Sequence, residues 1–325
     1  MDFMGRPDVP LTIWGMLQEL PYFISVPFDR FDRSMRFDYE KSEWTFFCKF
    51  KSIDGGSGND YIVSFFHLQF SKLGVKHPFS IMDVNHFIPV CVFEVIIHDD
   101  ASTDETQEII KKYQKEYPGL IVPIIQEENQ YSQKRSIFNP ALKAARGRYI
   151  AVCEGDDYWT DPDKLQKQYD FMEKNPEYSV CYHDAFIFKE ESLVSPSKLP
   201  RNMRRDFSAN ELILNNCFIL TLSMFFRKCF SELPKESSGV VNGDNFIISM
   251  LGLHGRGKYI ESISPAAYRL HEESIWSSIS SEKKSEALVH TFSKLAEHHK
   301  REKRMKEFRY YREKSDRLLQ QKTGR

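Results

Sequence analysis

Between residues 93 and 188, short apolar runs take turns with amphipathic stretches, and this alternation constrains the fold more than any other feature of the chain. FEVII (93–97) is a β-branched run. Ser102 and Glu105 then have the spacing of a capping box, and Ile109, Ile110 and Tyr113 follow at helical intervals. IVPII (121–125) is the next apolar run, residues 132–146 read as helix, and YIAVC (149–153) is a third strand. Asp161-Pro162 offers an N-cap and a proline for the first helical turn, with Leu165, Tyr169 and Met172 on one face. YSVCYHDAFIF (178–188) is strand-like again. Strands that alternate with helices need right-handed crossovers, which build a mainly parallel sheet. The expected class is α/β.

In an open parallel sheet, ligands bind beyond the carboxyl ends of the strands. Two acidic clusters fall at such ends. Asp99-Asp100 follows FEVII by two residues, and Glu154-Gly155-Asp156-Asp157 directly follows YIAVC. Carboxylates crowded at a strand end repel one another unless a cation or ligand compensates them. Oxygen donors of this kind suit a hard divalent cation such as Mg²⁺ or Mn²⁺, and such a cation suits a diphosphate. Each cluster alone also fits a blander role. Asp-Asp before Ser-Thr is a common helix start, and an acidic turn is a weak signal by itself. Together, in a strand–helix–strand context, they point to a metal-bound nucleotide.

The flanks are less regular. Residues 1–92 are rich in Phe and Asp and contain GGSG (55–58); YIVSFFHL (61–68) is the one convincing strand there. A basic, proline-bearing loop (189–216) carries Arg201, Arg204 and Arg205 and is expected to border an acceptor site as a mobile lid. A second capping box, Ser208 to Glu211, opens a short helix. FILTLSMFFR (218–227) reads as strand, GDNFIISMLGL (243–253) as helix, and KYIESI and AAYRLH as two more strands. From Glu282 onward the chain holds 14 Lys/Arg against 7 Asp/Glu, with Leu288, Phe292, Leu295, Met305 and Phe308 as an intermittent helical stripe. That pattern predicts a solvated helix packed by one side and dispensable for chemistry, with membrane-surface attachment as the alternative.

The net charge of −1 favours no class of partner, and nothing points to nucleic acid. Six cysteines stand without CxxC pairs, so a reducing compartment is expected. No run approaches the roughly 20 apolar residues of a membrane span, and MDFMGRPDVP carries acids where a signal peptide would be basic. The expected location is cytoplasmic, with the inner face of the membrane as a variant.

FEVIIHDDASTDETQEIIKKY followed by ARGRYIAVCEGDDYWTDPDKLQKQ resembles the nucleotide-sugar-binding half of family-2 glycosyltransferases with the GT-A fold. ENQYSQ (128–133) and YRLHEESIWS (268–277) resemble the bacterial branch that acts on surface polysaccharides. The resemblance covers about residues 93–280. It divides the chain into an atypical N-terminal region (1–92), a GT-A domain (93–280) and a charged helical tail (281–325). It implies a mainly parallel sheet with flanking helices, a nucleotide-diphosphate sugar donor, a saccharide or lipid-linked acceptor, and a Mn²⁺ or Mg²⁺ cofactor. By residue, it implies that Asp99 contacts the base, Asp100 supports the loop, and Asp156 lies near the ribose or metal. Asp157 is then the principal metal ligand, His271 lies near the diphosphate or metal, and Arg269 meets a phosphate. Asp244 takes the place of the general base of an inverting displacement. His271 could equally be a hydrogen-bonded strand histidine, and Asp244 a helix cap. Trp159 is expected in the core, while Trp276 is open between core and sugar stacking. The family's usual first-strand motif is not recognisable in residues 1–92, and its Gly near ENQYSQ is replaced by Lys134-Arg135. The rival from another class is a non-catalytic nucleotide-sugar-binding relative with an incomplete pocket. A metal-dependent nucleotidyltransferase is a weaker third.

Overall fold

A computed structural model describes residues 33–38, 43–48, 61–68 and 92–323, apart from 191, 272–275 and 277–278. Two compact units result, residues 1–55 and 56–325. In the first, β1 (Arg33–Asp38) and β2 (Glu43–Cys48) form an antiparallel hairpin.

The second unit is built on a seven-stranded sheet. Its members are β3 (Tyr61–Leu68), β4 (Val92–Asp99), β5 (Ile121–Ile125), β6 (Tyr149–Glu154), β7 (Tyr178–Tyr182), β10 (Phe225–Arg227) and β11 (Arg256–Tyr259), in the order β11-β7-β10-β6-β3-β4-β5. Every neighbouring pair is parallel except those of β10, which runs against both β6 and β7. The helices α1 (Thr106–Glu116), α2 (Phe138–Ala144) and α3 (Lys164–Lys174) make the crossovers. A fully covered parallel sheet demands continuous apolar strands. Val95, Ile96 and Ile97 of β4, Ile150, Ala151 and Val152 of β6, and Val180 and Cys181 of β7 are accordingly all buried.

YIVSFFHL takes the place of the first strand that no motif announced. As β3 it lies between β4 and β6, with His67 in register with both His98 and Glu154. The strand-like stretch 178–188 divides into β7 and β8 (Ala185–Lys189), which leaves the large sheet at His183-Asp184. A second, three-stranded sheet forms from β8, β9 (Ser192–Ser195) and β12 (Ala266–Arg269), in the order β12-β8-β9.

Other sequence expectations are adjusted. The Ser208–Glu211 capping box is present and starts α4 (Ala209–Ile213). The one at Ser102 is not, because Asp99 takes the Ser102 N–H and Asp104 takes the N–H and hydroxyl of Thr106, so α1 begins later. The predicted strand 218–227 shrinks to Phe225–Arg227, preceded by a 3₁₀ turn at Thr221–Ser223. GDNFIISMLG forms α5 (Gly243–Gly252), whose Phe246, Ile247 and Leu251 are core.

The charged tail is two helices, α6 (Ser281–Arg301) and α7 (Met305–Thr323). Of the predicted stripe, Phe292 and Leu295 are buried, Leu288 and Phe308 pack against the core part-buried, and Met305 alone is exposed, so the stripe runs on into α7. Beside it Tyr311 is fully buried, donating its hydroxyl to Ile213 O at 2.6 Å and accepting from Asn215 Nδ2. Among the described residues, no helix is long and apolar enough to cross a membrane. Cys153, Cys181, Cys217 and Cys229 are free thiols.

Candidate active site

Three parallel strands, β4, β3 and β6, end side by side, so both acidic clusters open from the same edge of the sheet. Past β4 the chain turns at Ala101, a non-glycine residue at φ 60°. Asp99 is fully buried there; its Oδ2 accepts from Ser102 N and Gln107 Nε2, while its Oδ1 has no partner. Asp100 spends both oxygens on the neighbouring loop, accepting from Gln130 N at 2.6 Å and Tyr131 N at 3.0 Å. Asp100 is thus placed to hold the 128–133 loop, each of its oxygens already bonded once, whereas Asp99 keeps one oxygen without a partner.

Past β6, Asp157 N donates to Glu154 O and closes a tight turn. The small sheet is stitched onto this turn. Tyr158 and Ala267 exchange backbone hydrogen bonds, Arg269 N donates to Asp157 Oδ1 at 2.9 Å, and Arg269 Nε donates to Asp156 O at 2.9 Å. His271 Nε2 lies 2.8 Å from Asp156 Oδ2. The structure therefore brings Asp156, Asp157, Arg269 and His271 into one cluster. The Arg269 guanidinium stacks 4.7 Å from the Phe188 ring centre.

Asp157 is 2% exposed, and its Oδ2 has no hydrogen-bond partner. Burial, with Asp156 and Glu154 close by, pushes its carboxyl well above the usual carboxylate range. Burial and the charges of Asp156 and Asp244 push Glu154 up to about 8. The charge of Asp244, in the first turn of α5, is thus felt at Glu154. Asn242 occupies the N-cap position of that helix, so Asp244 is not the cap. Burial raises the Asp244 carboxyl as well, against the lowering effect of backbone N–H groups.

The basic loop differs from the expected lid. Arg204 pairs with Asp184 at 3.2 Å, and Arg205 pairs with Glu211 at 2.6 Å, so both cations are committed within the fold. Leu199 and Phe207 anchor the segment in the core. The cation it does bring to the carboxylates is Lys198, whose charge is felt at Glu154 and Asp157. Sequence reasoning passed over it as one basic residue among several. Trp159 is core, as expected, with Nε1 donating to Leu222 O at 2.6 Å.

Among the described residues, no three His, Cys, Asp or Glu side chains converge as a ready-made metal cage. A hard cation that shares its shell with phosphates needs only one or two protein carboxylates. The buried, unpartnered Oδ2 of Asp157 and the buried, unpartnered Nδ1 of His271 are donors of the required chemistry.

The family model described as Glycosyl transferase family 2 matches residues 82–233. An uncharacterized protein of Mycobacterium tuberculosis is 38% identical over 187 residues, covering 57% of this chain and 52% of that protein. The putative teichuronic acid biosynthesis glycosyltransferase TuaG of Bacillus subtilis is 39% identical over 121 residues, covering 37% of this chain and 42% of its own. The chain spans about half the length of the curated relatives it matches. The crystal structure of S. aureus TarS 1–349 in complex with UDP-GlcNAc aligns with a TM-score of 0.53 at 17% identity, over 72% of this chain and 66% of that one. Residues 82–233 are thus similar to glycosyl transferase family 2, and the fold is of the GT-A kind.

Proposed function

We propose that this protein transfers a sugar from a nucleotide-diphosphate donor to a saccharide or lipid-linked acceptor in surface-polysaccharide synthesis, with inversion. The observation that carries the reading is the buried, unpartnered carboxylate oxygen at the end of β6, with a second acid whose charge reaches the same turn. Asp157 has an unpartnered oxygen just past the end of β6, and Asp244, at the start of α5, makes its charge felt at Glu154 in the same turn. Named relatives support the polysaccharide context.

Asp157 Oδ2, and His271 through Nδ1, would hold a Mn²⁺ or Mg²⁺ ion. When bound, the ion neutralises charge on the departing diphosphate. Asp156 orients His271 through Nε2, and Arg269 fixes Asp157 through its backbone N–H. Asp99 is the candidate for the base, by its free Oδ1, and Asp100 shapes the loop beside it. Asp244 takes the proton of the acceptor hydroxyl, a role that suits a carboxyl whose burial raises its basicity. The helix N-terminus beneath it keeps enough of the ionised form for that purpose.

The non-catalytic alternative drew on the missing first-strand motif; β3 supplies a strand in that position without the motif. The test is turnover of UDP- and GDP-sugars with and without Mn²⁺, first as slow hydrolysis and then with lipid-linked saccharide acceptors. Absence of metal-stimulated turnover with every donor would overturn the reading. Peripheral attachment through the basic C-terminal helices, on the cytoplasmic side, belongs to the same proposal and is checked by flotation with anionic vesicles.

A further inference from the structure

Lys198 stands out because its backbone is fixed while its charge is left uncommitted. Asp184, 6% exposed, gathers the chain around it. Its Oδ1 accepts from Ala185 N at 2.8 Å, Leu199 N at 2.9 Å and Lys198 N at 3.3 Å. Its Oδ2 accepts from Ser197 Oγ and pairs with Arg204. Lys198 N also reaches Ala185 O at 2.6 Å. Few surface loops are held by so many bonds to one carboxylate, and the result is a defined origin for the Lys198 side chain.

That side chain ends 3.4 Å from the centre of the Tyr268 ring. Tyr268 immediately precedes Arg269, whose N–H binds Asp157, so the ring places the ammonium beside the carboxylate turn. Among the described residues the ammonium makes no ion pair, although Asp157 and Glu154 both act on it through their charge. An aromatic face compensates an ammonium by about 0.5 to 2 kcal/mol, less than a hydrogen-bonded carboxylate would. Burial lowers its affinity for its proton, and Lys284 of α6 adds repulsion. A lysine with a purely structural task would close onto the nearest acid, as Arg204 does onto Asp184. Lys198 instead lies over the Tyr268 ring, with no carboxylate paired to it among the described residues.

We infer that Lys198 is a diphosphate-binding residue: its ammonium, held over Tyr268 by the Asp184-clamped loop, takes an anionic oxygen of a nucleoside diphosphate lodged against the Asp157 turn. This rests on the glycosyl-transfer reading above. A cation on one side of the diphosphate and an ammonium on the other would share the charge that develops as the donor bond breaks.

The test is calorimetric and does not depend on turnover. Wild type, Lys198→Met and Lys198→Arg are titrated with UDP and GDP in Mn²⁺, with uridine and guanosine, and with Mn²⁺ alone. Lys198→Met is expected to weaken the bound diphosphate about tenfold or more, the effect of losing one charge-assisted hydrogen bond. Lys198→Arg should stay within about threefold, since it keeps the charge. Nucleoside affinity should not change, and Mn²⁺ alone should bind no more weakly, because a neighbouring like charge has gone. Equal diphosphate affinity in wild type and Lys198→Met, or an equal loss for the nucleoside, overturns the assignment of Lys198 and leaves the functional reading standing. A wild type that binds neither diphosphate removes both. If Lys198→Met does not fold, Lys198→Gln is measured in the same way, with the same outcomes.

Discussion

Lys164, the second basic surprise of the chain, offers a quantitative check on how α3 is seated. It is fully buried, donating to Gln168 Oε1 at 2.6 Å, with its ammonium 4.0 Å from the Trp159 ring centre. Burial lowers its pKa from 10.5 to about 7. Between those values the unfolded chain carries a proton that the folded one has released, so stability rises with pH from about 7 to about 10.5. At 1.36 kcal/mol per pH unit the whole rise is roughly 5 kcal/mol, of which roughly 4 is still missing at pH 7. Replacing Lys164 by Met removes that penalty while nearly keeping the volume. It also strands Gln168 Oε1, at a cost of about 1–3 kcal/mol. Lys164→Met is therefore expected to be about 2 kcal/mol more stable than wild type at pH 7 and no more stable at pH 10. Urea titrations at several pH values between 6 and 10 give both curves. A variant destabilised at pH 7, or a gain that does not shrink with pH, would refute the burial of a titrating lysine at this position.

Four further outcomes follow from the site and its supports. Asp244→Asn keeps its melting temperature and donor affinity while transfer falls at least about a hundredfold, measured in steady-state assays; a change of only a few-fold would strip Asp244 of its role. Asp157→Ala loses Mn²⁺-dependent diphosphate binding by calorimetry, and wild-type binding that survives EDTA would argue against the metal. Asp184→Ala, which releases the Lys198 loop, lowers diphosphate affinity along with stability, whereas proteolysis of 195–204 as slow as in wild type would contradict the clamp. Tyr311→Ala costs about 3–5 kcal/mol in denaturant melts, the loss for a large core side chain, although it lies in a stretch that reads as a charged tail.

The alternation that carries the fold was visible because buried parallel strands must be apolar throughout, as Val95–Ile97 and Ile150–Val152 are. The acidic turns were visible for the opposite reason, since carboxylates at strand ends have no packing explanation. What escaped depended on side chains far apart in sequence. The Ser102 capping box has the right spacing, yet Asp99 takes the Ser102 N–H that the box would use, and Asp104 caps the next turn at Thr106. The long run 178–188 gives no sign of breaking, because the break is made by Asp184 gathering N–H groups from residues 198 and 199. Lys198 is one of many basic residues until Tyr268, 70 positions away, gives it a seat. The 93–280 boundary followed the recognisable motif and so stopped short of β3, whose residues are strand-like without resembling the expected pattern.

The central position of β3 has a consequence for anyone who cuts the chain. It is hydrogen-bonded along one side to β4, from Tyr61↔Val92 to Leu68↔Asp99, and along the other to β6, from Ile62↔Tyr149 to His67↔Glu154. A fragment begun at Phe93, where the legible motif starts, would bare two facing rows of amide and carbonyl groups in the middle of the sheet. Strand edges of that kind recruit other chains or collapse onto each other in the wrong register. Such a fragment should aggregate on expression although it contains every acidic residue of the site, whereas one begun at Gly56 should stay in solution.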